Sequence, residues 1–161
     1  MKTAGGGRTT RTLYCTYCSA GKQKTRAPMS ALRRYVSPRI RAVHRMSRGA
    51  GAPFAILSGK FGLLGPYEKI PCYDHLLKAG EVAALLPRVT GYLDRKGIRA
   101  VRFFHEPLSS NRRLKPYLDA ITRSCRLAGV RLILSEYAPD HAGGGARPLY
   151  EKRETRDAKW H

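Results

Sequence analysis

The stretch Phe54-Ala-Ile-Leu-Ser-Gly-Lys-Phe-Gly-Leu-Leu-Gly65 decides the fold of this chain. Its first five residues form a short, continuous apolar run, which is the pattern of a parallel strand covered on both faces. Glycines follow at three positions, and a glycine-spaced loop after a buried strand brings backbone N–H groups to a ligand. We therefore predict a buried strand over residues 54–58 that ends in a ligand-binding loop.

Three more strands and three main helices are predicted around this strand. Segments rich in β-forming residues favour strands over residues 12–18, 99–104 and 130–134. Segments with apolar residues at helical spacing favour helices over residues 38–48, 82–93 and 114–125, and a short helical turn over 30–35. The order βαβαβαβ predicts an α/β fold: a mainly parallel sheet of about four strands with helices on both faces.

The first main helix has clear signals at its start and on its faces. Ser37 is expected to cap it, and Pro38 to occupy its first position. Apolar and small side chains are expected to face inward, namely Ile40, Val43 and either Met46 or Ser47. The arginines are expected to face outward, namely Arg39, Arg41, Arg45 and Arg48.

Glycine and proline set the remaining boundaries. Pro87 is expected to bend or restart the second helix, and Gly129 to end the third. Residues 59–73 hold three glycines and two prolines, and we expect a long loop there. Residues 1–138 are expected to form a single basic α/β domain, and residues 139–161 a charged, glycine-rich C-terminal tail, mobile or docked through Trp160.

The charge of the chain is strongly one-sided. No acidic residue precedes Glu68, and the formal net charge is +20, from 31 Lys and Arg against 11 Asp and Glu. Such an excess repels itself in a compact state and indicates a polyanion partner, unless it reflects a general arginine bias. The chain shows no apolar run of membrane-spanning length, no secretory signal pattern and no disulfide framework. We expect a cytoplasmic protein whose partner is nucleic acid or a nucleotide, and no membrane.

Ligands of open α/β sheets bind at the carboxyl ends of the strands, and this rule selects the loops at residues 18–24, 58–74 and 105–113. Their polar, cationic and aromatic residues are candidate contacts to phosphate or nucleic acid: Ser19, Lys22, Lys24, Ser58, Gly59, Lys60, Phe61, Gly62, Tyr73, Ser109, Asn111, Arg112 and Arg113. Four further residues are candidates for catalysis: Cys18, Asp74, His105 and Glu106.

The cysteines near the first loop do not make a metal motif. Cys15 and Cys18 have the spacing of a metal-binding pair, but a strong zinc motif needs a second pair, and Cys72 and Cys125 stand alone. We expect no metal and no cofactor, a buried Cys15, and a Cys18 near the site, where neighbouring lysines would favour a reactive thiolate. Those lysines either contact phosphate or are simply solvated.

Each remaining candidate has a structural alternative. In the loop at residues 58–62 the two glycines allow positive φ and Phe61 could stack on a base, or the loop is a structural turn with Phe61 in the core. Asp74 either caps the next helix or acts as a general base or ribose-hydroxyl acceptor. His105, beside Glu106 at the end of a strand, either stabilises a developing anion or is a structural histidine.

Three motifs carry a resemblance to a known family. Ile56-Leu-Ser-Gly-Lys-Phe-Gly-Leu-Leu-Gly-Pro66, continued by Ile70-Pro-Cys-Tyr-Asp74, resembles the central motif of the peroxide stress protein YaaA family and of its short bacterial and phage relatives. Cys18-Ser-Ala-Gly-Lys22 and Tyr35-Val-Ser-Pro38 resemble two further elements of those short relatives. The resemblance implies a YaaA-like α/β fold and DNA binding linked to protection from oxidative damage. Cys72 departs from the family's Pro-Tyr-Asp spacing.

A second, local likeness lies after the third predicted strand. Phe104-His-Glu-Pro-Leu-Ser-Ser-Asn-Arg112 is similar to the His-Pro-Ser-Pro-Leu-Ser loop of uracil-DNA glycosylases, with one residue fewer before Pro-Leu-Ser. In that family the loop enters the minor groove and its histidine stabilises the anion of the departing base, a role that would fall to His105. The family's water-activating Gly-Gln-Asp-Pro-Tyr motif is missing from this sequence.

Two functional hypotheses follow. In the first, the protein binds DNA or tRNA, and the cations of the three loops track phosphates: Lys22, Lys24, Lys60, Arg112 and Arg113. In the second, it is an enzyme acting on a nucleobase or nucleotide, such as an N-glycosidic bond hydrolase or a base-exchange enzyme. There Asp74 would orient water or stabilise a cationic sugar, and His105 would stabilise the leaving base.

Overall fold

The computed structural model describes residues 11–138, which form an α/β fold around a five-stranded sheet. The strand order is β4-β3-β1-β6-β7. These strands are β1 (Thr12–Tyr17), β3 (Phe54–Ser58), β4 (Gly62–Leu64), β6 (Ala100–His105) and β7 (Arg131–Glu136). Two short strands, β2 (Met29–Ser30) and β5 (Lys69–Ile70), pair antiparallel in a separate ribbon.

Four strands of the main sheet are parallel, as predicted, and the fifth is an antiparallel edge. β1 pairs in parallel with β3 on one side and β6 on the other, and β7 pairs in parallel with β6. β4 folds back antiparallel onto β3. The prediction of a long loop over residues 59–73 is therefore wrong, because Gly62–Leu64 completes a tight hairpin and Lys69–Ile70 joins the small ribbon.

Residues 11–138 contain four α-helices: α1 (Ala31–Arg34), α2 (Pro38–Gly49), α3 (Val82–Arg95) and α4 (Lys115–Ala128). Short 3-10 turns precede the last two, at Ala79–Glu81 and Arg112–Leu114. α2 packs on β1 and β3, whereas α3 and α4 pack on each other. Because crossovers between parallel strands are right-handed, this strand order implies that α2 lies on one face of the sheet and the α3–α4 pair on the other.

α2 begins as predicted but buries one arginine that was expected to face water. The Ser37 hydroxyl accepts a hydrogen bond from the Ile40 N–H at 3.3 Å, and Pro38 occupies the first turn. Ile40, Val43 and Ser47 face the core. The outward prediction holds for three arginines but is wrong for Arg39, which is 5% exposed.

The two long helices follow their sequence patterns. α3 runs through Pro87 without restarting, and its apolar positions Val82, Leu85, Leu86, Val89 and Leu93 are buried. α4 ends at Gly129, which adopts the left-handed conformation that favours glycine at this position (φ 66°). Among residues 11–138, none of the helices has the length and apolar character that a bilayer crossing requires. The predicted tail lies outside the described residues.

The topology fixes where a ligand would bind. The chain leaves β1 toward β3 and then crosses back to place β6 on the other side of β1. In doubly wound sheets the crevice at such a switch of direction, outside the carboxyl ends of the strands, receives ligands. Tyr17 and His105 mark those ends in β1 and β6.

We predict that Gly62→Ala lowers the free energy of unfolding more than Gly97→Ala does. Both glycines have positive φ, 77° and 61°, which costs alanine about 1 kcal/mol. A Cβ on Gly62 would also lie 3.1 Å from the Cβ of Arg88 on α3, whereas nothing lies within 4 Å at Gly97. Urea unfolding should give a loss of about 1 kcal/mol for Gly97→Ala and about 2 kcal/mol for Gly62→Ala. Equal losses would contradict the close packing of β4 on α3.

Candidate functional site

A crevice of about 380 Å³ opens at the carboxyl ends of β1 and β6, where the topology places a ligand site. Its lining includes candidates from all three predicted loops: Cys18, Ser19, Lys22, Asp74, Glu106, Asn111 and Arg113. It also includes residues that were not predicted, among them Tyr17, Val36, Arg39, His75, Leu76 and Tyr117. The expectation that three strand-end loops converge on one place is thus met by the geometry.

Arg39 forms the floor of this crevice. Its guanidinium lies over the Tyr17 ring, 3.5 Å from the ring centroid. It donates hydrogen bonds to the Thr16 hydroxyl, to the Tyr17 carbonyl at 2.7 Å and to the Cys18 carbonyl at 3.5 Å. These partners are neutral, and Arg39 Nε has none. Burial lowers the pKa of Arg39, and the nearby Tyr17 and Glu106 oppose that effect.

Tyr17 joins the arginine to the opposite wall of the crevice. Its hydroxyl donates to Glu106 Oε2 at 3.3 Å and accepts from Asn111 Nδ2 at 3.4 Å. Its ring also packs against Tyr117, with 5.7 Å between centroids. Glu106 and Asn111 are therefore held in place by a side chain at the end of β1, and Asn111 also caps the 3-10 turn that follows it.

A buried network of hydroxyl and thiol groups lies behind the crevice. The Tyr73 hydroxyl bonds the Tyr35 hydroxyl and lies 3.0 Å from Ser58 Oγ. The Cys18 thiol donates to the Tyr117 hydroxyl oxygen at 3.4 Å. Burial raises the pKa of Tyr73 to about 12 and raises the pKa values of Tyr35 and Tyr117 as well. These phenols therefore stay neutral in the fold and act as hydrogen-bonding spacers.

Two lysines flank the Tyr73 ring. Lys22 Nζ lies 4.8 Å from the ring centroid and Lys60 Nζ lies 5.6 Å from it. Phe61 meets the same ring edge-on, with 5.1 Å between centroids. Lys22 and Lys60 come from different loops, so the aromatic ring brings two candidate phosphate contacts to one place.

In the loop at residues 58–62, two backbone N–H groups bond a side chain of the loop itself and not a ligand. Ser58 is fully buried, and its Oγ accepts the N–H groups of Lys60 at 3.2 Å and Phe61 at 3.1 Å. Gly62 has positive φ as expected, but Gly59 does not. Gly59 is required for space, since a Cβ there would lie 2.9 Å from the Leu77 Cβ. Of the two alternatives, the structural turn fits best, and Phe61 is partly buried against the core.

A second cavity of about 380 Å³ adjoins the crevice and shares Asp74 and His75 with it. Asp74 is exposed and does not cap the next helical turn, whose cap residue is Lys78. His75 Nε2 lies 2.8 Å from Glu81 Oε2. The Lys78 backbone N–H, followed by His75, lowers the pKa of Glu81. Nothing in the local sequence pattern singled out this histidine–carboxylate pair, because its two members lie on either side of an irregular loop.

Several predicted site residues line neither cavity. His105 is bonded to the Glu106 carbonyl through Nδ1 at 2.8 Å and stacks on Phe103. The others remain outside as well: Lys24, Ser109 and Arg112, all exposed, and Ser58, Phe61, Gly62 and Tyr73, which support the walls. Glu106, and not its neighbour His105, therefore reaches the crevice.

The cationic loop after β1 is held by a second buried arginine, Arg34. Its guanidinium is fully buried and donates to the carbonyls of Gln23, Thr25 and Ala27 at 2.6 to 2.8 Å. It also donates to the Ile70 carbonyl at 3.3 Å, which ties the loop to β5. The loop, which also forms an isolated β-bridge between Lys22 and Tyr35, is thereby fixed beside the crevice.

The cysteines are free thiols, and three of the four are buried. Burial raises the pKa of Cys15 well above its ordinary value and that of Cys125 to about 12. Within residues 11–138, no group of three or more His, Cys, Asp and Glu side chains could hold a metal ion. Cys18 alone of the four lines the crevice.

A larger cavity, of about 690 Å³, lies at the opposite edge of the sheet, beside the amino ends of the strands. Arg11, Lys96 and Tyr14 are among its lining residues. Open α/β sheets bind ligands at the carboxyl ends of their strands, and none of the predicted site residues lines this cavity. We therefore place the candidate site at the crevice.

Comparison of the chain with protein-family models, with curated proteins and with solved structures gives no match.

We predict that the free energy of unfolding falls between pH 10 and pH 12, and falls less steeply in Tyr73→Phe. An unfolded tyrosine ionises near 10.0, but folded Tyr73 keeps its proton until about 12. The stabilisation is complete below the unfolded pKa and is lost as the pH rises through the folded pKa. Urea unfolding at several pH values measures the slope, with Tyr67→Phe as the control for loss of a phenol. Identical slopes in wild type and Tyr73→Phe would contradict the raised pKa.

Proposed function

We propose that the protein binds nucleic acid or a nucleotide and holds a phosphate in the crevice at the carboxyl ends of β1 and β6. The observation that carries the proposal is Arg39. This guanidinium is 5% exposed, lines the crevice, and has no ion pair with any carboxylate between residues 11 and 138. A buried charge is costly unless it is neutralised, and a phosphate would supply the anion.

Other positive groups point to the same place. Lys22 and Arg113 line the crevice from two different loops. α2 begins beside it at Pro38, so the positive end of the helix dipole faces the same space. Phosphate oxygens prefer this combination of guanidinium, ammonium and helix N-terminus. The opposing carboxylates, Asp74 and Glu106, could accept from sugar hydroxyls or base N–H groups.

The size and the walls of the crevice suit a nucleotide unit. Its volume falls within the range of small-ligand sites, about 300 to 1,000 Å³. Val36 and Leu76 form an apolar rim, and both are unusually exposed for such side chains. Asn111 adds an amide that can donate and accept. A base or sugar would cover the apolar rim while the phosphate meets the cations.

The resemblance to the YaaA family supports the same proposal. The matching motifs include Cys18-Ser-Ala-Gly-Lys22, four of whose residues line the crevice, and the segment that ends at Asp74, which lines it as well. We propose on this basis that the chain is YaaA-like and that its nucleic-acid binding contributes to DNA protection under oxidative stress.

We predict that charge reversal in the crevice weakens binding more than charge reversal beside it. Arg113→Glu and Lys22→Glu should each weaken binding of short DNA and RNA oligonucleotides about tenfold or more, because each places a carboxylate next to the bound phosphate. Fluorescence anisotropy over a salt series measures the effect. Wild-type affinity should fall steeply as salt increases.

The chain provides matched controls for this experiment. Arg112→Glu and Lys24→Glu introduce the same change in net charge at exposed positions one or two residues away that do not line the crevice. We expect only small losses there. Equal losses in all four variants would show diffuse attraction without a site, and failure of the wild type to bind at low salt would reject the proposal.

The His75–Glu81 pair favours a second candidate function, hydrolysis of an N-glycosidic bond. Glu81 orients one ring nitrogen of His75, and His75 lines both cavities beside Asp74. A histidine held by a carboxylate can accept a proton from water. The water oxygen would then bond to the anomeric carbon while the C–N bond breaks. The base would leave with the electron pair of that bond and take up a proton.

We predict for this second function that His75→Ala abolishes turnover and leaves oligonucleotide affinity within about threefold of wild type. Glu81→Gln should reduce turnover because it replaces the carboxylate that orients the His75 ring. Mass spectrometry of released bases measures turnover. His105→Ala is the control, since His105 lines neither cavity. No base release by the wild type would reject the hydrolase and leave the binding proposal standing.

A further inference from the structure

The outer face of α2 carries a stripe of arginines. Arg41, Arg45 and Arg48 are all exposed, and their spacing of four and three residues places them along one side of a helix. α2 contains no carboxylate. In the part of the chain that the structure describes, none of the three guanidinium groups forms an ion pair. The stripe is thus a row of positive charge that the surrounding fold does not neutralise.

An exposed aromatic ring lies beside this stripe. Tyr67 is 69% exposed, and its ring meets the His44 ring nearly at right angles, with 6.3 Å between centroids. His44 is in turn packed on Phe54, with 5.1 Å between centroids. Tyr67 is therefore positioned by a buried histidine while most of its surface stays open to a partner.

The position of His44 on α2 shows that the Tyr67 ring lies next to the arginine stripe. At about 100° per residue, His44 projects about 60° to one side of the arginines. Arg48 is close enough to lower the pKa of His44, after the larger effect of burial. Tyr67, which contacts His44, therefore borders the arginine stripe. Glu68 is the nearest carboxylate along the chain, and its Oε2 accepts from the Gly65 N–H at 3.1 Å.

The same helix begins at the crevice. Ser37, Pro38 and Arg39 line it, and α2 then runs from there to Gly49. Twelve residues of α-helix extend about 18 Å. The arginine stripe and Tyr67 therefore continue the positive surface away from the crevice, in one direction and over the length of several nucleotides.

We propose that α2 and Tyr67 form a surface along which a single strand of nucleic acid runs out of the crevice. This inference rests on the proposed function. The phosphates of the strand contact Arg41, Arg45 and Arg48, and one unpaired base stacks on Tyr67. The occupant is a single strand because stacking on a protein ring needs an exposed base face, which a duplex hides within its own stack.

The test compares oligonucleotide lengths. Fluorescence anisotropy is measured with labelled dinucleotides and twelve-residue oligonucleotides, each as single-stranded DNA and RNA, and with a twelve-base-pair duplex. The proteins are wild type, the triple variant Arg41→Glu/Arg45→Glu/Arg48→Glu, and Tyr67→Ala. The matched control is Arg95→Glu/Arg99→Glu/Arg126→Glu, which makes the same charge change at exposed positions outside α2 and the crevice.

The expected result depends on length. Wild type should bind the single-stranded twelve-residue oligonucleotides at least tenfold more tightly than the dinucleotides. The α2 triple variant should bind the long and short oligonucleotides with similar affinity. The slope of log affinity against log salt concentration should be smaller by about 2 in this variant, the value for three phosphate contacts on a single strand. Tyr67→Ala should bind the long single strands about tenfold more weakly, whereas Tyr67→Phe should bind them as tightly as wild type. Dinucleotide affinity should stay the same in both, because it reports the crevice alone.

Two outcomes would overturn the inference and leave the proposed function intact. One is that dinucleotides bind but longer oligonucleotides bind no more tightly, or that the control triple variant loses as much affinity as the α2 variant. The other is that the duplex binds as tightly as the single strands and Tyr67→Ala has no effect. Failure of wild type to bind any of the probes would instead reject the proposed function, and this inference with it. A preference between the DNA and RNA arms identifies which strand the surface takes.

Discussion

The structure depends on two buried arginines, Arg39 and Arg34, that form no ion pair with any carboxylate of residues 11–138. Arg39 and Arg34 are 5% and 0% exposed, and their guanidinium groups are solvated by carbonyl oxygens, a hydroxyl and an aromatic face. Arg39 joins α2 to the end of β1, and Arg34 ties the following loop to β5. Carbonyl oxygens accept from the terminal guanidinium N–H groups, whereas the Nε–H groups of Arg34 and Arg39 have no partner among the described residues, and the net charge stays in place. The fold therefore builds positive potential into its interior next to the crevice.

The buried hydroxyl network beside the crevice stays neutral, so it does not reduce this positive potential. The phenols of Tyr35, Tyr73 and Tyr117 are buried, and burial holds each in its protonated form. Ser58 uses its hydroxyl to close the turn after β3 and to bond Tyr73. The phenols beside the crevice thus add no charge to it, while Lys22 and Lys60 add positive charge next to the Tyr73 ring.

The sequence predicted the elements better than it predicted the site. Apolar spacing located α3 and α4, and the buried run at residues 54–58 located β3, because both patterns record burial directly. β4 was missed because three residues are too few to show a period. Arg39 was predicted to face solvent because arginine is usually exposed. In the structure, the Tyr17 ring and the loop after β1 cover its side chain. His75 was missed because its pairing with Glu81 depends on the course of an irregular loop.

Stability and ligand binding are linked through α2. Its first turn places Arg39 in the interior, where the charge opposes folding, and its outer face carries the exposed arginines, whose mutual repulsion also opposes folding. A polyanion that binds these charges more tightly where the fold brings them together than where the unfolded chain disperses them stabilises the fold. A polyanion thus offsets repulsion between charges that α2 brings together, which gives a physical reason for a chain to carry a charge of +20.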